Sequence, residues 1–131
     1  KDVKSCLPTR CAAACLIRSA ASGLTICQAA AHLVGRHDFT SFCSTHCDVE
    51  DHVRTISSLL IEGPENGFVK ISVEADGFLR YMVRIIVGTL AETGLGKFSP
   101  DELKEILAAQ DRRRAGMTAP SCGLFLKEVK Y

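Results

Sequence analysis

Hydrophobic and polar positions along this chain change period every few residues, which divides the sequence into short predicted elements. Between residues 69 and 75 they alternate strictly, a pattern typical of a half-buried β-strand. The run from Val53 to Ile61 is rich in β-branched and aliphatic residues and predicts a second strand. With the polar sequence EGPENG between them, the two runs predict a hairpin with a polar outer face. The terminal sequence GLFLKEVKY is a further strand candidate.

Helical spacing predicts two helices in the first hundred residues. Ser22 is a candidate N-cap for a helix that runs to about Leu33 and is closed by Gly35. From residue 78 to residue 92 apolar positions recur with the helical period, and the residues on one broad face are expected to form core. These residues are Phe78, Leu79, Met82, Ile85, Ile86, Thr89 and Leu90. The sequence HDFTSF between the first helix and the hairpin predicts a loop or a short strand.

A third helix is predicted after the sequence GLGKFSP. Ser99 is placed as its cap, Pro100 at its first position, and Glu102 three residues after the cap, which together predict a capping box. Its expected buried residues are Leu103, Ile106 and Leu107. The order of elements, helix, two strands, two helices and strand, predicts an α+β fold in which helices pack on one face of an antiparallel or mixed sheet.

Composition and charge narrow the class of protein. The 131 residues suffice for one domain with a real core, and 47% are hydrophobic and 24% charged. No apolar run approaches the roughly 18 residues of a membrane span. The net charge of +1 does not indicate nucleic-acid binding, so any role in RNA binding has to rest on local clusters of basic residues. The densest is the sequence DRRR at residues 111–114, for which a solvated helix end is the alternative.

Seven cysteines, an odd number without a paired framework, favour free thiols in a reducing compartment such as the cytoplasm, nucleus or mitochondrion. A zinc site is the alternative, because two loose clusters carry suitable ligands. The sequence CAAAC, however, looks helical and apolar, and free cysteine is commonly a small buried hydrophobe. The ligands weighed are Cys11, Cys15, Cys43, His46 and Cys47.

Arg84 is a charge in the middle of an apolar segment. Helical geometry places it opposite the core face, in a flank where three positions carry almost no side chain, so that another backbone or a flat ligand can come close. A covered guanidinium there needs a carboxylate or phosphate, whereas an open one can be a plain surface arginine. The flank consists of Gly77, Arg80, Tyr81, Val87, Gly88 and Ala91.

Three segments in the same order and spacing resemble a known family. LVGRHDFTSF at residues 33–42, GFLRYMVRIIVGTL at residues 77–90 and DRRRAGMTAPSCGLFLKEVKY at residues 111–131 are similar to the C-terminal half of TruA-family tRNA pseudouridine synthases. The resemblance covers residues 22–131, so residues 1–21 are expected to be a lead-in segment at a fragment boundary. It implies the C-terminal subdomain of the pseudouridine synthase fold.

The resemblance also implies a reaction. In this family uridine in the tRNA anticodon arm is detached at N1 and rejoined through C5 to the same ribose, without cofactor or metal. A catalytic aspartate in a Gly-Arg-Thr-Asp motif of the N-terminal half drives it, and this chain lacks the motif. Arg84 stands where the family has the arginine that pairs with that aspartate. We therefore expect this chain to contribute half of an active site and to be inactive alone. The expected partner is tRNA, and the full-length protein is expected to be a homodimer. The alternative is a catalytically inactive RNA-binding or dimerisation module.

The remaining site candidates come from the same motifs. By resemblance, Asp38 and Phe39 lie at the cleft edge, and Phe78 and Met82 lie near the uridine pocket. From spacing alone Phe78 and Met82 are core residues, Phe39 is a buried anchor and Asp38 is a turn or cap residue. Substrate-binding candidates are Asp38, Phe39, Phe78, Tyr81 and Met82, and RNA-binding candidates are Arg36, Arg80, Arg112, Arg113 and Arg114. The Arg84 guanidinium is expected at an open surface beside Gly77, Tyr81 and Gly88.

Overall fold

The structure, a computed structural model, describes residues 10–18, 23–44, 51–65, 68–119 and 124–130, with side chains in 25–44, 51–62 and 69–119. Within these ranges the chain forms an α+β fold with a five-stranded sheet, and every strand pair is antiparallel. The predicted fold class is therefore confirmed. The elements are β1 (Arg10–Arg18), α1 (Gly23–Ala31), β2 (Gly35–Asp38), β3 (Val53–Glu65), β4 (Phe68–Ala75), α2 (Met82–Gly94), α3 (Glu102–Ala109) and β5 (Leu124–Lys130).

The predicted hairpin is strands β3 and β4. Between residues 69 and 75 of β4 the apolar residues are buried and the polar residues between them are half-buried, so one face of the strand meets the core, as the alternation predicts. The turn is shorter than expected, because β3 continues to Glu65 through Gly63 and Pro64. The strand register shifts between Glu62 and Glu65, where these two residues lie. Proline has no N–H to donate to the neighbouring strand, so it is tolerated at such an irregularity.

Strand β1 was not predicted, since CAAAC looked helical. It lies between β4 and β5 and pairs with both, giving the sheet order β2-β3-β4-β1-β5. Backbone pairing on two sides outweighs the modest helix preference of a few alanines. His46 and Cys47 of the zinc alternative lie outside the described residues, and a search of the described residues finds no cluster of metal-ligating side chains.

Helices α1 and α2 pack together and against the sheet. Helix α1 ends at Ala31, earlier than predicted, and Gly35, with φ +107°, begins β2, while Ser22 lies outside the described residues. Helix α2 begins at Met82, because Tyr81 before it has the left-handed φ of 62°. The predicted core face is confirmed except that Phe78 is only partly buried: Leu79, Met82, Ile85, Ile86, Thr89 and Leu90 are buried.

Helix α3 confirms its predicted buried residues, Leu103, Ile106 and Leu107. Half of the capping box forms: the Glu102 carboxylate accepts the Ser99 N–H at 3.3 Å. The residues before the helix make a tighter turn, in which the Glu102 N–H donates to the Ser99 carbonyl, so the helix begins at Glu102. Within the described part of the chain, no helix has the length and apolar character needed to cross a membrane.

Candidate functional site

Two arginines share one exposed aromatic ring at the start of α2. Tyr81, which has a left-handed backbone, precedes the helix, and the residue is 43% exposed. The Cζ atoms of Arg80 and Arg84 lie 5.1 and 4.9 Å from the Tyr81 ring centroid, within the range of cation–π contacts. The turn into α2 therefore presents two positive charges and a ring on one surface.

Arg84 is half-buried and held by neutral groups. Its Nε donates a hydrogen bond to the Ala119 carbonyl at 2.8 Å, and the Ala119 N–H donates in return to the Arg84 carbonyl at 2.9 Å. Among the side chains in 25–44, 51–62 and 69–119, no carboxylate forms an ion pair with it. Within these ranges no carboxylate compensates the charge of the guanidinium.

The electrostatics of this surface favour negative groups. A hydrogen bond from Arg80 and its positive charge lower the pKa of the Tyr81 phenol below its ordinary value, and the charge of Arg84 adds to this effect. The same charges would stabilise a carboxylate or a phosphate. The arrangement is therefore chemically suited to binding and stabilising an anion.

A segment without regular secondary structure covers α2 next to Arg84; we name residues Gly116–Ala119 the strap. A Cβ on Gly88 would lie 1.7 Å from the Met117 carbonyl oxygen, and a Cβ on Gly116 would lie 2.8 Å from the Thr89 Cα. The Gly116 N–H donates to the Thr89 hydroxyl at 2.9 Å. Glycine at both contact points lets the two backbones approach.

The strap corrects the predicted surroundings of Arg84. Because it lies against α2, Gly88 and Val87 are buried and do not form an open flank. Gly77 faces the side chain of Arg54, whose Nε lies 3.4 Å from an added Cβ. The sequence predicted that Gly77, Tyr81 and Gly88 would surround the guanidinium at an open surface. Of these, Tyr81 is exposed and its ring contacts the guanidinium.

The DRRR sequence forms a 3₁₀ helix (Arg112–Arg114) in which the three arginines differ. Asp111 caps it and is paired with Arg113, whose Nε and Nη2 each lie 3.2 Å from the carboxylate. Hydrogen bonds from the Arg113 side chain and backbone hold the pKa of Asp111 below its ordinary value. Arg114 is exposed, whereas the half-buried Arg112 donates to Gly116 and Thr118 of the strap.

Two residues predicted to bind substrate are sealed in the core. Phe39 and Met82 have no exposed surface, and Phe39 packs edge-on against Phe42. With no surface for a nucleotide to touch, they match the core interpretation. Phe78 is half-buried and packs against the core, and retains some exposure.

The Asp38 side chain stabilises the turn that follows β2. Its Oδ1 accepts hydrogen bonds from the Thr40 N–H at 2.9 Å and from the Thr40 hydroxyl, which lies 3.0 Å from His52 Nδ1. This is the turn role weighed from the sequence. Arg36, on the same strand, is exposed, and so is Arg80 beside Tyr81.

Sequence reasoning missed the carbonyl of Ala119 and the use of Arg112. A backbone carbonyl carries no side-chain signal, and Arg112 was indistinguishable from its two neighbours in an arginine run. The available signal was Gly88, whose missing side chain indicated a close approach without indicating what approaches.

Comparison with known proteins gives a family match over most of the chain. A family model described as tRNA pseudouridine synthase matches residues 29–131. The matched region includes α2, the strap and all residues of the site described above.

Individual relatives agree with this match. The chain is 58% identical over 106 residues to tRNA pseudouridine synthase A of Brevibacillus brevis, 53% over 104 residues to that of Bacillus pumilus, and 51% over 104 residues to that of Bacillus subtilis. Each match covers 79% of this chain and 42% of the relative. The chain thus spans about two fifths of the length of the curated relatives it matches.

Proposed function

This chain is a member of the TruA family of tRNA pseudouridine synthases, and on that premise we propose that Arg84 supports the conversion of uridine to pseudouridine in tRNA. We place the partner of its guanidinium, a catalytic aspartate, in the N-terminal half of the full-length protein and not in this chain. No cofactor or metal takes part. The chain therefore contributes the arginine of the active site, and the N-terminal half of the full-length protein contributes the carboxylate.

The observation that carries this proposal is the set of neutral partners around Arg84. The half-buried guanidinium touches a carbonyl and a phenol ring, which orient it, and among the described side chains no carboxylate compensates its charge. An opposite charge within about 4–6 Å lowers a carboxylate pKa by roughly 1–3 units, so the pairing keeps the aspartate ionised as nucleophile or base. A lysine would bring the charge without the planar fork that binds a carboxylate through two donors.

The exposed cations support contact with tRNA. In a base-paired stem the glycosidic atoms of a uridine are inaccessible, so the uridine has to leave the base stack and enter a pocket of the enzyme. Contacts to the RNA backbone position the tRNA during this step. We assign these contacts to Arg36, Arg80, Arg113 and Arg114, all exposed. Tyr81 offers its exposed ring to the substrate, while by resemblance Asp38 lies at the edge of the cleft and Phe78 lies near the uridine pocket. We leave Arg112 out of this set, because it uses two of its donors to bind the strap.

Arg84→Met in the full-length protein is the main test. Because a pKa shift of 1–3 units corresponds to about 1.4–4 kcal/mol, loss of the pair should lower kcat about 10- to 1,000-fold, with a small change in tRNA affinity. Arg84→Lys should recover part of the loss. Single-turnover rates and filter binding measure both quantities. Equal loss in rate and affinity, or no loss, contradicts the assignment and favours an inactive binding module.

The 131-residue chain by itself should make no pseudouridine, since its sequence contains no Gly-Arg-Thr-Asp motif. A tritium-release or mass-spectrometric assay on tRNA measures this, with the full-length protein as control. Turnover by the chain alone would show that its carboxylate is internal. The resemblance further supports a homodimer for the full-length protein, which light scattering tests.

A further inference from the structure

We propose that Arg112 is a positioning residue for Arg84 and acts through the strap. This inference rests on the proposed role of Arg84. It assigns the first arginine of the DRRR sequence to the architecture of the active site, whereas the other two stay available to RNA.

A continuous set of hydrogen bonds links the two arginines. Arg112 Nη1 donates to the Gly116 carbonyl at 2.9 Å, and its Nη2 donates to the Thr118 hydroxyl at 3.0 Å. The next residue of the strap, Ala119, accepts from Arg84 Nε at 2.8 Å and donates its N–H to the Arg84 carbonyl at 2.9 Å. Arg112 thus holds the strap at two points just before the residue that holds Arg84.

The strap needs such support because it has no helix or strand of its own. Its other bonds go to α2: the Gly116 N–H to the Thr89 hydroxyl, and the Met117 N–H to the Glu92 carboxylate at 3.2 Å. These bonds fix its first half. Thr118, the residue directly before Ala119, is held by Arg112. Loss of the two Arg112 hydrogen bonds therefore releases Thr118, the residue that determines where the Ala119 carbonyl lies.

The contrast with Arg113 separates this role from RNA binding. Arg113 is bound to Asp111, and its side chain is 88% exposed. Arg112 is half-buried and directs both Nη groups at acceptors of its own chain. Two of its five N–H donors are thus already engaged within the chain, which leaves fewer donors for a phosphate than a fully exposed arginine offers. Lysine cannot replace Arg112 in this position, because a single ammonium group lacks the spaced, planar donors that reach two residues at once.

A double-mutant cycle in the full-length enzyme tests the proposal. Arg112→Gln should lower kcat about tenfold or more and change the KM for tRNA by less than about twofold, and Arg112→Lys should restore little. In an Arg84→Met background, Arg112→Gln should cause no further loss, because it acts through Arg84. Lys104→Gln, which removes an exposed cation on α3, is the matched control and should leave kcat and KM unchanged.

Two further measurements keep the test informative if Arg112→Gln folds poorly. Thr118→Val removes one acceptor at a half-exposed position and should lower kcat in the same direction by a smaller factor. The Arg84 Nε–H signal in NMR, protected by the Ala119 carbonyl, should exchange faster with solvent in both variants. Lys104→Gln should leave that exchange rate unchanged.

Three outcomes would overturn the inference. A raised KM with a flatter salt dependence and unchanged kcat would make Arg112 a tRNA contact. A kcat loss that adds fully to that of Arg84→Met would show that Arg112 acts independently of Arg84. Unchanged exchange of the Arg84 Nε–H in Arg112→Gln would show that the strap does not need it. If Arg84→Met itself keeps full activity, the proposed function fails, while the exchange measurement still reports on the Arg112 contact.

Discussion

Arg84 stands alone in an apolar segment, whereas Arg112, Arg113 and Arg114 are consecutive, and the two regions use their charge differently. The Arg84 guanidinium touches a carbonyl and a ring, so its charge is uncompensated among the described side chains. In the run, Arg113 is paired with Asp111 and Arg112 is bound to the strap. Local density of arginine in the sequence is therefore a poor measure of the charge that a surface offers to a ligand.

The comparison also shows how the two regions are connected. The strap receives hydrogen bonds from Arg112 on one side and from Arg84 on the other. One short segment thus joins a residue in the run to the isolated arginine. We test first the strap that joins the two regions, then the exposed arginines of the run, and last the charges around Tyr81.

Of the substitutions that test this comparison, Gly88→Ala should have the largest effect on stability, because the added Cβ would lie 1.7 Å from the Met117 carbonyl oxygen. Glycine to alanine within a helix usually stabilises by about 1 kcal/mol. Here overpacking should reverse the sign and lower the free energy of unfolding by about 1–3 kcal/mol. Chemical denaturation measures this change.

Gly77→Ala is the matched control for that substitution. Its Cβ would meet only the flexible side chain of Arg54, at an ordinary 3.4 Å. We expect little change in unfolding free energy. If Gly88→Ala is as stable as this control, the strap does not press on α2 and the connection between the two arginine regions is lost.

Arg113→Gln combined with Arg114→Gln should weaken tRNA binding moderately. Each lost phosphate contact should reduce the slope of log affinity against log salt by about one unit. Titrations at several salt concentrations measure this slope. Arg112→Gln should leave it unchanged, since its donors face the strap. A slope that falls equally for all three arginines would remove the distinction drawn within the run.

The smallest predicted effect is on the pH profile. Arg80, with a lesser effect from Arg84, lowers the pKa of Tyr81, so its phenolate forms at a lower pH than that of an ordinary tyrosine. The phenolate would compensate the charge of Arg84, so activity should fall as the pH rises through this lowered pKa. Tyr81→Phe should shift the alkaline limb of kcat to higher pH, and Arg80→Gln should raise the pKa of Tyr81 as seen by NMR. An unmoved alkaline limb in Tyr81→Phe would show that the phenol does not compete for Arg84.

The sequence predicts those features that depend on neighbours along the chain. The alternation in β4 and the helical spacing in α2 and α3 give the correct elements and nearly the correct buried faces, because a strand and a helix repeat with fixed periods. Arg84 stands out for the same reason, as a charge that interrupts an apolar period. Strand β1 does not follow from local pattern, since its two partner strands, rather than its own alanines, make it extended.

The contents of the site required the tertiary structure. The sequence indicated that something could approach Gly88 closely, and the fold shows that a backbone segment does. Ala119 meets Arg84 across 35 positions of sequence, and the three arginines of the run divide into a bound, a paired and an exposed one. Periodicity records which face of an element is buried. Which groups meet across elements depends on loop paths and on single hydrogen bonds, and these leave no repeating pattern in the chain.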